Sequence, residues 1–400
     1  MKIVKGDVIM FEEFNRVFEQ MQNRKLDILL ISKPSNVTYI SGYDLSLHIG
    51  AIDTFSCGPV IAIIVNESKS TGKTFLLVSE LEKKLAAKQN RLDELITYSS
   101  FDSRTYIDPK KDYLGKIISV LSKYQINKSI RIGIETANIP FFIEDYIKRE
   151  FPAFDLVDAT DVLNNARLTK TKREIDLIKD VVKLNDAGQD TLLKIAKSNM
   201  YEIDIYDSVM GAMERFSGHK PLNIAPLTVE LVSGPRTSVV SYPGGPTNRK
   251  IERGDTIIFD LSLSQNGYWA DTTNTLVVED NPTIEQLKYF NIAKNVIETA
   301  FDNIKPGVKA CDIEAKCRKV YESYNILGPC YIGHQIGAAV NEAPIIVFHD
   351  QTKIKKDMVF SIEPGAYAGP GGNTGCRLEK MVLVTDSGIE ILSNFKWGIK

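Results

Sequence analysis

Residues 260–275 read DLSLSQNGYWADTTNT, which places two aspartates on either side of Asn266-Gly267. An Asn-Gly pair favours a two-residue type I′ turn between antiparallel strands. In that register Ser262 lies opposite Asp271, so Asp260 shares a face with Asp271 and is diagonal to it. Diagonal neighbours in a sheet are about 7–8 Å apart, close enough for both carboxylates to reach one ligand. This prediction holds only if no β-bulge shifts the register.

Apolar segments flank the two aspartates: TIIF (256–259) precedes Asp260, and TLVV (275–278) follows Asp271. These segments predict a buried sheet, where unpaired carboxylates are costly. The alternative is a pair of solvated surface aspartates, and the apolar flanks disfavour it.

A second acidic pair lies near the end of the chain. MVFSIEPGAY (358–367) places Glu363 at the end of an apolar strand, and CRLEKMVLVT (376–385) places Glu379 inside another. One buried glutamate fits an ion pair with Arg377 or Lys380. Four acidic residues in apolar strands of one domain carry about four negative charges, which two divalent cations would balance.

His334 supplies a nitrogen donor in the segment YIGHQIG (331–337), between glycines that permit close backbone approach. A lone histidine is more often structural than a metal ligand. The position of His334, shortly before the two acidic strands, favours the ligand interpretation.

Strand and helix patterns divide the chain into two predicted domains. The first part alternates an amphipathic helix over 10–23 with strand-like runs such as LDILLIS and PVIAIIV, which indicates an α/β domain. The charged segment NNARLTKTKREID (164–176) marks the boundary, and we expect domains at 1–162 and 163–400. In the second domain, runs of hairpin strands and runs of helices are segregated along the chain, as in an α+β domain with an antiparallel sheet.

Composition excludes several classes of protein. The chain has 400 residues, is 43% hydrophobic, and carries 49 Lys and Arg against 51 Asp and Glu, so a nucleic-acid or membrane partner is not expected. Its five cysteines contain no CxxC pair, which disfavours a disulfide framework or a zinc knuckle. The sequence has no secretory h-region at its start and no apolar run long enough to span a membrane, so we expect a cytoplasmic protein.

Together these segments resemble the pita-bread metallohydrolases (peptidase family M24), which include methionine aminopeptidase, aminopeptidase P, prolidase and the metal-free creatinase. The family pattern joins a DxxxxxxxxxxD hairpin, a GHxxG segment, an SIEPG strand and a terminal RxE strand, and this chain contains them in order. NVTYISGYD (36–44) is similar to the N-terminal domain of the prolidase and creatinase branch. The resemblance implies a creatinase/prolidase-like α/β domain, then an α+β pita-bread domain with a curved antiparallel sheet, in a homodimer.

The resemblance also implies the site. It assigns two divalent metal ions to Asp260, Asp271, His334, Glu363 and Glu379, with Glu363 also carrying protons for a metal-bridging water. This oxygen-rich donor set favours manganese over cobalt, iron or zinc. The implied reaction is hydrolysis of an amide C–N bond, most similar to that of an Xaa-Pro dipeptidase or aminopeptidase acting on short peptides.

The chain departs from the family at several positions. Relatives carry further histidines around the metals, whereas this chain has Pro243, Cys330 and Asn341 there, and Asn274 replaces an arginine. Such groups orient the carbonyl and the tetrahedral intermediate, and losing one commonly lowers the rate 10²–10³-fold.

Three residues are candidates to take over the role of the missing histidines: Tyr242, Asn341 and Arg377. The alternative is that Tyr242 packs in a turn and Asn341 caps a loop. A weaker candidate is His48, if it reaches the cleft of a partner subunit. Two other functions stay open: hydrolysis of a small non-peptide amide or amidine, as in creatinase and ectoine hydrolase, and a catalytically silent binding protein.

Overall fold

A computed structural model of the protein divides into two compact units, Met1–Arg167 and Leu168–Lys400. The structure describes residues 3–5, 8–45, 57–68, 71–124, 130–218, 222, 229–240 and 245–399. The expected domain boundary, between 162 and 163, falls inside the helix Thr160–Ala166. Across the described ranges, no helix is both long enough and apolar enough to cross a bilayer.

The first unit is an α/β domain, as the alternating pattern predicts. Its helices are α1 (Glu12–Asn23), α2 (Pro34–Ser41), α3 (Lys83–Gln89), α4 (Pro109–Leu121), α5 (Phe141–Glu150) and α6 (Thr160–Ala166). Its strands are β1 (Ile3–Lys5), β2 (Val8–Met10), β3 (Ile28–Ile31), β4 (Ile61–Ser68), β5 (Thr71–Ser79), β6 (Glu94–Tyr98), β7 (Arg131–Ile134) and β8 (Asp155–Asp158). Six strands form a mixed sheet in the order β6-β5-β4-β3-β7-β8. An apolar core of sheet and helix residues holds this unit together.

The second unit is built from antiparallel sheets and four long helices among its described residues. The helices are α7 (Lys172–Ile195), α8 (Glu202–Phe216), α9 (Ile284–Asn303) and α10 (Ala310–Ser323). The strands are β9 (Glu230–Ser233), β10 (Thr256–Gln265), β11 (Tyr268–Val277), β12 (Gly333–Gln335), β13 (Glu342–Ile345), β14 (Val359–Ile362), β15 (Gly365–Tyr367), β16 (Gly375–Arg377), β17 (Lys380–Val384) and β18 (Ile389–Ile391). The sheet orders are β11-β10-β9, β13-β12-β14-β17-β18 and β15-β16.

The β10–β11 hairpin has the register that the Asn-Gly turn predicts. Asn266 and Gly267 both have positive φ, at 53° and 77°, as a type I′ turn requires. Ser262 lies opposite Asp271, and the pairing continues without a bulge along both strands. Asp260 and Asp271 therefore lie on one face, and this prediction is confirmed.

Helix α7 supports the hairpin from its other side. Asn185 Nδ2 donates to Leu261 O at 2.6 Å, and Gln189 Nε2 donates to Thr272 O at 2.9 Å. Gly188 permits this approach, because a Cβ there would lie 2.6 Å from Leu261 Cδ2. Buried amide side chains on the helix thus fix the strands that carry the two aspartates.

Candidate active site

The five predicted metal ligands come from different strands and meet in one place. Asp260 lies on β10 and Asp271 on β11, while His334 lies on β12. Glu363 directly follows β14, and Glu379 lies between β16 and β17. Each side chain is therefore held by a sheet strand or by the residue next to one, which limits its movement.

Short distances join the imidazole to the acidic groups. His334 Nε2 lies 3.2 Å from Glu363 Oε1 and 3.8 Å from Asp271 Oδ2. One donor atom each from Asp271, His334 and Glu379 lies within 4.8 Å of the other two. This spacing suits side chains that share a small cation.

Close backbone contacts bring the strands together. Glu379 N donates to Thr273 O at 3.0 Å, which ties Glu379 to the β11 strand. On the other side, a Cβ at Gly333 would lie 2.3 Å from Ser361 O. Only glycine permits this separation between β12 and β14, as expected from the glycines around His334.

Hydroxyl and carbonyl groups orient the site residues. Ser262 Oγ donates to Asp271 Oδ1 at 2.7 Å. Glu379 accepts hydrogen bonds from Thr273 Oγ1 at 2.7 Å and from Ser361 Oγ at 2.6 Å. His334 Nδ1 lies 3.0 Å from the carbonyl oxygen of Gln335, a contact that suits an N–H at Nδ1 and turns Nε2 towards the carboxylates. Contacts of this kind fix the direction of metal ligands.

Arg377 places a positive charge directly beside Asp260. Its Nη2 donates to Asp260 Oδ2 at 2.8 Å and also to Glu230 Oε2. The other oxygen, Asp260 Oδ1, is buried and accepts no hydrogen bond from an N–H or hydroxyl group of the described residues, and the carboxyl group of Asp271 is a hydrogen-bonding neighbour of the Asp260 carboxylate. A buried carboxylate oxygen without a donor is uncommon and calls for an explanation.

Mutual repulsion and burial shift the pKa values of the cluster. Burial raises the pKa of Asp260 to about 6, even though Arg377 opposes the shift. Burial, with the charges of Glu363 and Asp260, raises the pKa of Glu379 to about 8, and the pKa of Asp271 also rises well above its usual range. Burial disfavours the charged imidazole, but the hydrogen bond and charge of Glu363 outweigh it and raise the pKa of His334 to about 9.

The residues fit divalent cations. The Oδ1 atom of Asp260 is buried and has no N–H or hydroxyl donor among the described residues, and Asp271 Oδ2 lies 3.8 Å from His334 Nε2. The raised pKa values of Asp260 and Glu379 show that the protein does not fully compensate the negative charge of these carboxylates. Carboxylate oxygens with one imidazole are the donor set of hard or borderline divalent metals.

The other residues that the sequence singled out are not part of this ligand cluster as far as the structure describes them. Tyr242, Pro243 and His48 are outside the described residues. Asn341 and Cys330 are exposed, and Asn341 makes no side-chain hydrogen bond to the described part of the chain. Arg377 is buried and held by two carboxylates.

Sequence reasoning missed Tyr331 and Glu230. The Tyr331 hydroxyl forms a hydrogen bond with the Glu363 carboxylate, and its ring lies 6.5 Å from the His334 ring. Burial and the charges of Glu363 and Glu379 raise the pKa of Tyr331, so its phenol stays protonated at neutral pH. The signal was the position of Tyr331 at the start of the YIGHQIG segment, three residues before His334.

Two family models match the chain. Residues 176–386 match the metallopeptidase family M24, and residues 14–169 match the creatinase/prolidase N-terminal domain. The first match covers more than half of the chain, and both agree with the resemblance drawn from the motifs.

Relatives extend this similarity over nearly the full length. The Xaa-Pro dipeptidase of Pyrococcus furiosus is 28% identical over 387 residues, covering 96% of this chain and 98% of the relative. The prolidase structure from Pyrococcus horikoshii OT3 covers 98% of this chain and 100% of its own, with a TM-score of 0.77 and 23% identity. The structure of an X-Pro aminopeptidase from Thermotoga maritima MSB8 has the same TM-score at 20% identity, covering 95% of this chain and 99% of its own. These structures share the fold, and the family match defines the class: the chain belongs to metallopeptidase family M24.

Proposed function

We propose that this metal-dependent peptidase is an Xaa-Pro dipeptidase. The observation that carries the proposal is the convergence of four carboxylates and one imidazole on adjoining strands, with short distances between their donor atoms. Relatives named Xaa-Pro dipeptidase align with almost the whole chain, which supports the substrate class.

We propose two divalent cations, manganese first, held by Asp260, Asp271, His334, Glu363 and Glu379. Four carboxylates bring enough negative charge for two such ions. When bound, the ions would polarise the amide carbonyl and lower the pKa of a water molecule. The Oδ1 atom of Asp260, which accepts no hydrogen bond from an N–H or hydroxyl group of the described residues, is the donor we assign most directly to a cation.

Glu363 is the residue we assign to proton transfer. Its carboxylate lies 3.2 Å from His334 Nε2 and accepts a hydrogen bond from Tyr331. A carboxylate in this position can take a proton from the attacking water and pass it to the leaving amine. Contacts with both His334 and Tyr331 restrict the orientation of that carboxylate during the transfer.

Among the described residues, Tyr331 and Arg377 are the hydrogen-bond donors that contact the proposed ligands Glu363 and Asp260. Tyr331 presents a neutral phenol beside Glu363, where it can donate to an oxygen that gains negative charge. Arg377 uses Nη2 for Glu230 and Asp260, so we assign it mainly to holding Asp260 rather than to the substrate. Tyr242 and Asn341 remain proposed substrate contacts, from their motif positions only.

The test combines metal content with a substrate panel. Protein purified without chelator and dialysed against Mn²⁺ should hold about two ions per chain by elemental mass spectrometry. It should cleave Xaa-Pro dipeptides faster than matched Xaa-Ala dipeptides, longer Xaa-Pro peptides, and small amides or amidines. Asp271→Asn should remove turnover, because it takes away a central carboxylate.

Each other outcome selects a different function. Preference for the small amides would favour the non-peptide hydrolase, and faster cleavage of longer peptides would favour an aminopeptidase. Metal binding with no turnover of any substrate would favour the third function, a catalytically silent binding protein. A homodimer is proposed from the resemblance alone, and light scattering after size-exclusion chromatography tests it.

A further inference from the structure

Glu230 is a buried carboxylate that the proposed ligand set does not use. It lies on β9 directly opposite Asp260 on β10. Like charges directly opposite on neighbouring antiparallel strands repel one another and destabilise the pair. The side chain of Glu230 is 9% exposed and that of Asp260 19%, so water screens this repulsion poorly.

Arg377 lies between the two carboxylates. The same nitrogen, Nη2, donates to Glu230 Oε2 and to Asp260 Oδ2, so both of its hydrogens are used. Nε lies 3.3 Å from Thr273 Oγ1, and Nη1 lies 3.5 Å from the Tyr367 hydroxyl. The guanidinium is therefore held on several sides, and its position fixes which oxygen of Asp260 it covers.

The two carboxylate oxygens of Asp260 have different surroundings in this arrangement. Oδ2 accepts from Arg377, whereas Oδ1 is buried and accepts no hydrogen bond from an N–H or hydroxyl group of the described residues. A single arginine facing a single aspartate commonly forms two parallel hydrogen bonds, one to each oxygen. Arg377 instead contacts Asp260 through Nη2 alone, because Nε faces Thr273 and Nη1 faces Tyr367, so the guanidinium covers Oδ2 and not Oδ1.

We propose that Glu230 is a positioning residue for the metal centre: by sharing Arg377 with Asp260, it keeps Asp260 Oδ1 and the charge of that carboxylate available to a cation. This inference rests on the proposed metal site. Without the charge of Glu230, the positive charge of Arg377 is balanced by Asp260 alone, and the arginine competes more strongly with the cation for that carboxylate. Changes in residues that orient metal ligands typically lower metal affinity roughly 10- to 100-fold, and we expect that range here.

The test is a calorimetric titration of metal-free protein with Mn²⁺, comparing wild type with Glu230→Gln. Glutamine keeps the shape of Glu230 and a carbonyl oxygen that still accepts from Arg377, but it removes the charge. The matched control is Glu314→Gln, because Glu314 is also buried and paired with an arginine, Arg318, on helix α10. We expect weaker Mn²⁺ binding in Glu230→Gln and wild-type affinity in Glu314→Gln.

A second comparison separates positioning from simple support of the fold. In an Arg377→Gln background, Glu230→Gln should change Mn²⁺ affinity less than about twofold, because its effect passes through the arginine. A structural role alone would lower the unfolding temperature of the metal-free variant and leave Mn²⁺ affinity unchanged. That result, or an equal loss of affinity with and without Arg377, would overturn the inference. Wild-type protein that binds no Mn²⁺ would instead overturn the metal site, and the inference with it.

Discussion

Metal binding to this protein should depend steeply on pH, because the site holds protons when it holds no cation. Burial and repulsion raise the pKa of Asp260 to about 6 and that of Glu379 to about 8. The carboxylates of Glu363 and Glu379 help to raise the pKa of His334 to about 9. A cation binds the deprotonated forms, so it must displace these protons. Affinity should therefore rise as pH increases from 6 to 8.

Glu379 alone sets a lower limit on the change. With a pKa of about 8, its carboxyl group is about 99% protonated at pH 6 and half protonated at pH 8. The deprotonated fraction thus grows about 50-fold over this range, and apparent affinity grows with it. A second proton from His334 would steepen the dependence towards the square of that factor. The two groups interact, so the number of protons released belongs to the cluster rather than to either residue.

The assay is Mn²⁺ titration calorimetry at pH 6, 7 and 8, repeated in two buffers of different ionisation enthalpy to count released protons. Lys380 needs a control, because burial lowers its pKa to about 7 and it titrates in the same range. Lys380→Met should keep the proton count if the ligands release the protons. Affinity that varies less than about threefold between pH 6 and 8, with no proton release, would show that the ligands are already deprotonated at pH 6 and contradict this prediction.

Three further predictions concern single side chains and the metal-free fold. Tyr331→Phe should lower kcat roughly 10²-fold while Mn²⁺ affinity stays within about threefold of wild type, because the change removes a hydrogen-bond donor beside Glu363 but no metal ligand. Comparable losses of kcat and of Mn²⁺ affinity would contradict this prediction. Ser361→Ala should weaken Mn²⁺ binding roughly tenfold, because Ser361 Oγ orients Glu379, and unchanged calorimetric affinity would count against that role. Metal-free protein should unfold at a lower temperature at pH 8 than at pH 6, because the raised pKa values of Asp260 and Glu379 mean that the folded site loses stabilising protons over this range. Saturating Mn²⁺ should reverse this trend in a thermal melt.

Elements with a clear local signal were predictable from the sequence. Helix α1 keeps apolar residues at spacings of three and four, and the structure buries that face. Helix α7 follows a Thr171–Glu174 capping box, which marks its start. The β10–β11 register followed from one turn, because positive φ at Asn266 and Gly267 leaves little freedom in the pairing.

Other elements gave no usable periodic pattern. Helix α2 (PSNVTYIS) is buried on nearly all sides, so its polar and apolar residues show no helical period. Its signals are Pro34 at the first turn and Gly42, whose φ of 75° ends the helix. Strands β6 and β8 are short edge strands with mostly half-buried or exposed residues, and they lack the alternation that marks a strand.

The acidic cluster could be proposed from the sequence, but its supporting contacts could not. Asp260 and Asp271 are joined by a local turn, whereas Glu230 meets Asp260 only through the pairing of β9 with β10. Arg377 then reaches both from β16, more than a hundred residues away along the chain. Spacing along a sequence carries no information on such contacts, because sheet packing decides them.

Folding brings carboxylates together that repel one another, and this repulsion links metal binding to folding. The buried carboxylates repel one another, as the raised pKa values of Asp260, Asp271 and Glu379 show. Apolar packing of α9, α10 and the strands around them opposes this repulsion and keeps the residues together without a cation. A cation that binds only the folded site then stabilises it in proportion to its affinity. Variants that loosen the site, such as Ser361→Ala, should therefore lose more stability with Mn²⁺ present than without it.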